Sequence, residues 1–299
     1  MRMKIILVAT GAKGKNVVFV SDTFQSYSLE EAVKLVKEGK FENVYVVKGK
    51  SGTYLRTSRN VPKKERLEQL AVSSRQLFAA ASGLRSAPST PPTLNRYLQL
   101  YEASLREKGG PFITPVDGWV RILTQEAKEK LQPHRQFIFE AAGKFKVDPY
   151  LLAAIIIDEI ARFAPWEPIT DPLFGYFLGI TASAGIAQVK IDTARGLIKS
   201  GYYNPNPDDP ELSSQKIGKT SRRHLYEYVK KPRHSIFFAA ARMRGLIDTW
   251  KKFADLSATP EIVATLYSLY KDPHADPKPN ERGLQIAGEF YEFAKDWLQ

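Results

Sequence analysis

With 299 residues, no cysteine and 43% hydrophobic residues, the chain can hold one large globular domain or two ordinary ones, but no disulfide framework and no cysteine-based metal site. The formal net charge of +12 points to an acidic partner: nucleic acid, anionic lipid or an anionic cell-wall polymer. The excess is uneven, with 14 Lys/Arg against 7 Asp/Glu in residues 1–70 and 11 Lys/Arg against Glu227 and Asp248 in residues 216–252.

The start, MRMKIILVATGAKGKN, sets basic residues ahead of the short apolar run IILVA. That run falls short of the roughly 7–15 residues of a signal-peptide core, and no cleavage pattern follows, so synthesis in the cytoplasm without a clear export signal is expected. No stretch approaches about 18 uninterrupted apolar residues, so no membrane span is expected either. KIILVAT, NVVFVSD, NVYVVKG and TYLRTS then alternate as strands do, separated by Gly, Lys and Asn turn signals. Between the second and third, SLEEAVKLVKEGKF predicts a helix with a Ser28/Glu31 capping box and Gly39 at its end. Residues 1–70 therefore read as a small β-rich domain with one helix. The order YSLEEAVKLVKEGKFENVYVV, then GTYLRTSRN, resembles a small bacterial domain of unknown function with a similar helix, strand and YLRT signature. That resemblance implies no activity. It leaves the domain an accessory or targeting role, such as attachment to a secretion, phage-like or injection assembly.

Residues 71–123 read as a linker, with SGLRSAPSTPPTLN rich in Ser and Pro and one short helix, LNRYLQLYEASLREKG. Residues 124–299 are amphipathic and helical in pattern almost to the end, with Pro149 and Pro260 near helix starts, where proline is tolerated. The fold class expected is α+β: a small β-rich N-terminal domain and a mainly α-helical C-terminal domain. Within the latter, LLAAIIIDEIARF (residues 151–163) places two acids in an apolar run. Helical spacing puts Glu159 on the stripe of Leu152, Ile155, Ile156 and Phe163, the expected core side. Asp158 is turned away toward Arg162, four residues on, and reads as half of a surface pair.

Three segments in order carry a second resemblance. KVDPYLLAAIIIDE, SAGIAQVKIDTAR and IVATLYSLY occupy the places of the DPxLLxAIIxxES, GLMQ…TA and AYNAG motifs, with HSIFFAAARMRGLIDTW where a helix stands between the last two. Over residues 133–298 the chain thus resembles the lysozyme-like domain of lytic transglycosylases and goose-type lysozymes. The resemblance implies an α-helical lysozyme-like domain that cleaves the β-1,4 bond between MurNAc and GlcNAc in peptidoglycan, without a cofactor or metal. It makes Glu159 the general acid and then base, and an apolar wall is what such an acid needs to stay protonated. Gly185 and Gln188 match the Gly and Gln of the turn that holds the sugar, Ser183 precedes that turn with a hydroxyl to contribute, and Tyr267 matches the tyrosine beside the acid. Ile160 stands where the family has serine, Ser268 where it has asparagine, and Leu269-Tyr270 where it has Ala-Gly.

A lytic transglycosylase works with one carboxyl group: the muramoyl 6-hydroxyl attacks within the sugar and leaves a 1,6-anhydro product. A hydrolytic muramidase of the same fold needs a second carboxylate about 6.5–9.5 Å away. Asp171 and Asp192 are the candidates for it, and the single-acid route is the expectation. A non-catalytic wall-binding protein of the same fold is the competing class. His134, His224, His234 and His274 show no paired metal spacing, and no nucleic-acid reader motif accompanies the basic faces. Peptidoglycan glycan strands are therefore the expected partner rather than nucleic acid.

Overall fold

The computed structural model describes residues 2–11, 14–50, 52–81, 91–116, 121–173, 183–268 and 278–299. It is an α+β structure with a β-rich N-terminal region and a helical remainder, and it divides into two compact units. One unit holds Met1–Gly109 and Phe163–Leu178; the other holds Gly110–Arg162 and Gly179–Gln299.

In the first unit, β1 (Ile5–Thr10) and β2 (Asn16–Ser21) pair antiparallel, and β3 (Ser26–Ser28) adds to the outer edge of β2. α1 (Leu29–Lys37) begins where the sequence signals it. The Ser28 hydroxyl accepts from the Glu31 N–H at 3.3 Å, and the Glu31 carboxylate accepts from the Ser28 N–H at 2.8 Å. β4 (Val44–Gly49) and β5 (Gly52–Thr57) form a separate hairpin in which Val46 faces Leu55. Ile5, Val8, Phe19, Phe41, Leu55 and Leu70 close the core beneath these elements.

The division of the chain differs from the one composition suggests. α2 (Leu67–Leu70) leads into β6 (Ala71–Ser73), which pairs parallel with β1 and completes a sheet of order β3-β2-β1-β6. α3 (Ser74–Ala81) follows. Residues 82–90, most of the Ser/Pro stretch, lie outside the described residues. α4 (Pro92–Lys108) buries Leu94, Tyr97, Tyr101 and Leu105, a stripe at spacings of three and four. The Tyr97 hydroxyl donates to the Pro165 carbonyl at 2.6 Å within the same unit. A Ser/Pro count marks where helices break, but strand pairing and buried stripes decide which unit a segment joins.

The second unit opens with the short antiparallel pair β7 (Phe112–Ile113) and β8 (Ile122–Leu123). TQEAKEKLQPHRQFIFEAAGKF, one amphipathic segment by its pattern, is split into α5 (Thr124–Leu131) and α6 (Arg135–Phe145). A 3-10 turn at Gln132–His134 separates them, because Pro133 has no N–H for the helical ladder. Next come α7 (Pro149–Phe163) and then α8 (Glu167–Leu173), which lies in the segment belonging to the first unit. The hairpin of β9 (Ser183–Ala184) and β10 (Val189–Lys190) precedes α9 (Ile191–Lys199), α10 (Arg222–Val229) and α11 (Pro232–Trp250). α12 (Pro260–Ser268), α13 (Glu281–Gln285) and α14 (Tyr291–Trp297) follow, the last two joined by a π-helical stretch at Ile286–Phe290. α11 packs against α6, α9, α10 and α12 and buries Ile236 through Ala241. Among the described residues no helix is long and apolar enough to cross a membrane.

Candidate active site

The site is built at the C-terminal half of α7. Asp148 caps this helix: its Oδ1 accepts from the N–H groups of Tyr150 at 2.7 Å and Leu151 at 3.0 Å, while Pro149 takes the first helical position. Its Oδ2 accepts from the Tyr291 hydroxyl at 2.9 Å, which ties the start of α7 to α14. Leu151 through Asp158 are all buried, so this part of α7 has no solvent face. A helix that is apolar all round belongs inside a domain.

That burial corrects the reading of the two acids. Asp158 does pair with Arg162, but not at the surface: its side chain is 0% exposed. Asp158 Oδ1 accepts from Arg162 Nε at 2.9 Å, and Oδ2 accepts from Nε of Arg282 at 2.8 Å and also from its Nη2. Arg162 in turn donates to the Val116 carbonyl at 2.7 Å. Glu159 is the more open of the two, with 20% of its side chain exposed, and its Oε1 accepts from Arg282 Nη2 at 2.9 Å. Burial pushes the Glu159 carboxyl above the usual glutamate range. The Arg282 guanidinium opposes that rise, the Asp158 carboxylate adds to it, and Arg162 and Arg242 oppose it in turn.

Arg282 is held in place by a close approach of α13 to α12. The Asn280 side chain accepts from the Gly283 N–H at 2.8 Å, and the Thr265 hydroxyl accepts from the Asn280 N–H at 3.0 Å. A Cβ on Gly283 would sit 2.0 Å from Thr265 Oγ1 and 2.4 Å from the Glu261 carbonyl oxygen, so only glycine permits this packing. One turn further on, Gln285 accepts from the Val116 N–H at 2.6 Å. Val116 is thus fixed through its N–H by Gln285 and through its carbonyl by Arg162.

Tyr267, on α12, is 3% exposed, and its hydroxyl has no hydrogen-bond partner among the described residues. Burial pushes its phenol up to about 12, with the Arg242 cation opposing and the Glu159 carboxylate adding. The Arg242 guanidinium carbon, carried by α11, lies 4.4 Å from the centre of the Tyr267 ring. Glu159, Arg242, Tyr267 and Arg282 therefore come together from α7, α11, α12 and α13, close enough to bias one another's charge.

The SAGIAQ turn is organised by a different partner. Gly185 has φ +69°, and a Cβ there would lie 2.5 Å from both Ser235 Oγ and the Val229 carbonyl oxygen. The Ser235 hydroxyl accepts from the Ala187 N–H at 3.1 Å and faces the Ala184 carbonyl at 3.4 Å. Gln188, with φ +44°, donates its side-chain amide to the Gly185 carbonyl at 3.1 Å. Gly185 thus serves contact with α11, and the Gln188 amide nitrogen serves the turn itself. Ser235 and Arg242 are seven residues apart on α11, about 10 Å along one face. The side chain of Ser183 and those of Asp171 to Leu173 lie outside the described residues, as do Leu269, Tyr270 and His274. Asp171 stands in α8, in the first unit, whereas Glu159 belongs to the second. Asp192 is engaged by Arg222 Nη1 at 2.7 and 2.9 Å. Several of the basic residues at 216–252 are likewise paired, Lys230 with Glu227, Arg233 with Glu140 and Arg244 with Asp248.

Sequence reading passed over Arg242, Thr265, Arg282 and Gly283. Only Gly283 left a signal, as a glycine inside a helical pattern that calls for a packing reason. The rest is contact between helices far apart in the chain.

The raised carboxyl of Glu159 has a consequence for stability. In the folded state Glu159 holds its proton more tightly than in the unfolded chain, so the fold loses stability as pH rises from the unfolded glutamate pKa, ~4.3, to the higher folded value. Glu159→Gln carries no such charge. Its melting temperature is expected to exceed that of the wild type at neutral pH, each kcal/mol recovered being worth roughly 2–4 °C for a unit of this size. The gap should close toward pH 4, which paired thermal melts across pH 4–8 would measure.

Comparison with known proteins bears on the first unit. Residues 4–71 match the family described as a protein of unknown function (DUF3892). This is the stretch whose helix, strand and YLRT order resembles such a domain, and it covers β1 to the start of β6. No curated protein and no solved structure matches the chain.

Proposed function

We propose that the chain is a peptidoglycan-cleaving lytic transglycosylase in which Glu159 is the single acid/base. The observation that carries this reading is the state of Glu159. It is the one acid of the α7 pair that keeps access to solvent, and its carboxyl is pushed upward by burial, the direction a proton donor needs. Asp158 takes the complementary part. Both its oxygens are occupied by Arg162 and Arg282, so Arg282 keeps a second partner besides Glu159.

In the proposed reaction Glu159 gives its proton to the glycosidic oxygen between MurNAc and GlcNAc as that bond breaks. The resulting carboxylate, steadied by Arg282, then takes the proton of the muramoyl 6-hydroxyl as its oxygen closes on C1. The products are a 1,6-anhydro sugar and a free 4-hydroxyl, and Glu159 returns to its protonated form. The Tyr267 hydroxyl and the Ser183–Gly185 turn with Gln188 are assigned to sugar binding. The single-acid route is preferred to hydrolysis because, of the two candidates for a second carboxylate, Asp192 is engaged by Arg222 and the side chain of Asp171 lies outside the described residues. The first unit is assigned an accessory role, and the basic surface an attraction to anionic wall polymer.

Digestion of purified sacculi by the wild type and by Glu159→Gln, with products identified by mass, tests the reading. Anhydro-muropeptides are expected from the wild type, with a fall of roughly 100-fold or more in the variant. Reducing ends would make the protein a muramidase. Equal cleavage by the two proteins would remove the acid assignment from Glu159, and no cleavage by either would leave a wall-binding protein without catalysis.

A further inference from the structure

We propose that Arg242 and the Tyr267 hydroxyl form an anion-receiving subsite beside Glu159, so that the glycan acted on carries a carboxylate or phosphate at this point. The inference rests on the reading above for the word glycan, while the anion site stands on its own geometry.

The cluster, in which Asp158 is buried and the other four side chains are half-buried, sets Arg162, Arg242 and Arg282 against Asp158 and Glu159, one cation in excess with both acids ionised and two when Glu159 is protonated. The other two arginines are accounted for: Arg162 donates to Asp158 and Val116, and Arg282 donates to Asp158 and Glu159. Among the described residues Arg242 donates to none. Its contact is the face of Tyr267, a contact that uses none of the guanidinium N–H donors in a hydrogen bond.

The Tyr267 hydroxyl, in turn, is buried and without a hydrogen-bond partner among the described residues. A buried donor left unmatched is costly, and such groups are normally paired. An oxyanion answers both needs at once, accepting from the arginine fork and from the phenol while cancelling the surplus charge. A neutral sugar hydroxyl satisfies the phenol but leaves the cation uncompensated.

Occupancy would also act on the acid. Arg242 is one of the cations holding the Glu159 carboxyl down, along with Arg282 and Arg162, while Asp158 raises it. An anion seated on Arg242 neutralises that influence, so binding and protonation of Glu159 favour one another.

Titration calorimetry on the full chain, with inorganic phosphate as probe, tests the site. After subtraction of the protons that phosphate itself exchanges near neutral pH, binding to the wild type should be accompanied by proton uptake and should tighten as Glu159 becomes protonated. Arg242→Gln should weaken it at least 10-fold and Tyr267→Phe several-fold. Glu159→Gln should keep the binding and lose the proton uptake. A carboxyl-bearing muropeptide compared with its methyl ester separates the sources: a preference of the wild type for the free acid, lost in Arg242→Gln, assigns the subsite to the carboxylate, and no preference assigns it to phosphate. Phosphate binding by both Arg242→Gln and Tyr267→Phe equal to that of the wild type overturns the proposal. The catalytic reading is separable, since a Glu159→Gln protein that still cleaves sacculi while Arg242→Gln loses phosphate removes the acid assignment and leaves the anion site standing.

Discussion

Asp158→Ala is expected to destabilise the second unit by about 3–5 kcal/mol, the range seen when one partner of a buried ion pair is removed. The Asp158 side chain is 0% exposed, and its two arginines are only 21% and 22% exposed, so both would be left largely dry without their shared acceptor. Arg162 would retain Val116 and Arg282 would retain Glu159, but neither holds a full countercharge for both. The variant should therefore also lower the Glu159 carboxyl, because a negative neighbour is gone and Arg282 is released to it. Urea unfolding followed by circular dichroism measures the first effect. A loss below about 1 kcal/mol would mean that the arginines find water more readily than their burial implies. Asp158→Asn, which keeps one acceptor oxygen but no charge, should fall between the two proteins.

Gly283→Ala carries the second large effect, and its sign is the informative part. In an ordinary helix interior the change stabilises by roughly 1 kcal/mol. Here a Cβ would meet Thr265 Oγ1 at 2.0 Å and the Glu261 carbonyl at 2.4 Å, so α13 must move off α12. Overpacking of this kind costs typically 1–3 kcal/mol, and the movement would also carry Arg282 away from Asp158. The total should approach that of Asp158→Ala. The double variant should then cost less than the sum of the two, since each releases the same ion pair. Urea melts of both single variants and the double variant measure this; strict additivity would show that Gly283 does not position Arg282.

The parts of this arrangement that were legible in the sequence are the local ones. Alternation in KIILVAT and NVVFVSD yields β1 and β2, and the Ser28/Glu31 box starts α1 with both of its hydrogen bonds formed. Pro149 opens α7 as its fixed φ suggests. Periodicity failed at Asp158, because assigning the second acid to the surface assumes that the helix has a wet side, and α7 has none there. It was silent on Arg282, which reaches Asp158 from 124 residues away. Residues 71–109 were misplaced for a similar reason: the parallel pairing of β6 with β1 joins residues more than 60 apart and leaves no trace in local composition.

The first unit is assembled from two pieces of chain, Met1–Gly109 and Phe163–Leu178, with most of α7 belonging to the second unit in between. On a ribosome the two pieces do not arrive together. The 69 residues from 110 to 178 take roughly 4–14 s to synthesise at about 5–20 residues per second. For that interval the N-terminal sheet waits without its last segment, and α7, made toward the end of it, then waits in turn for Arg282 on α13. Vectorial synthesis thus leaves Asp158, on the helix that bears Glu159, without the Arg282 side chain until 124 further residues have been made.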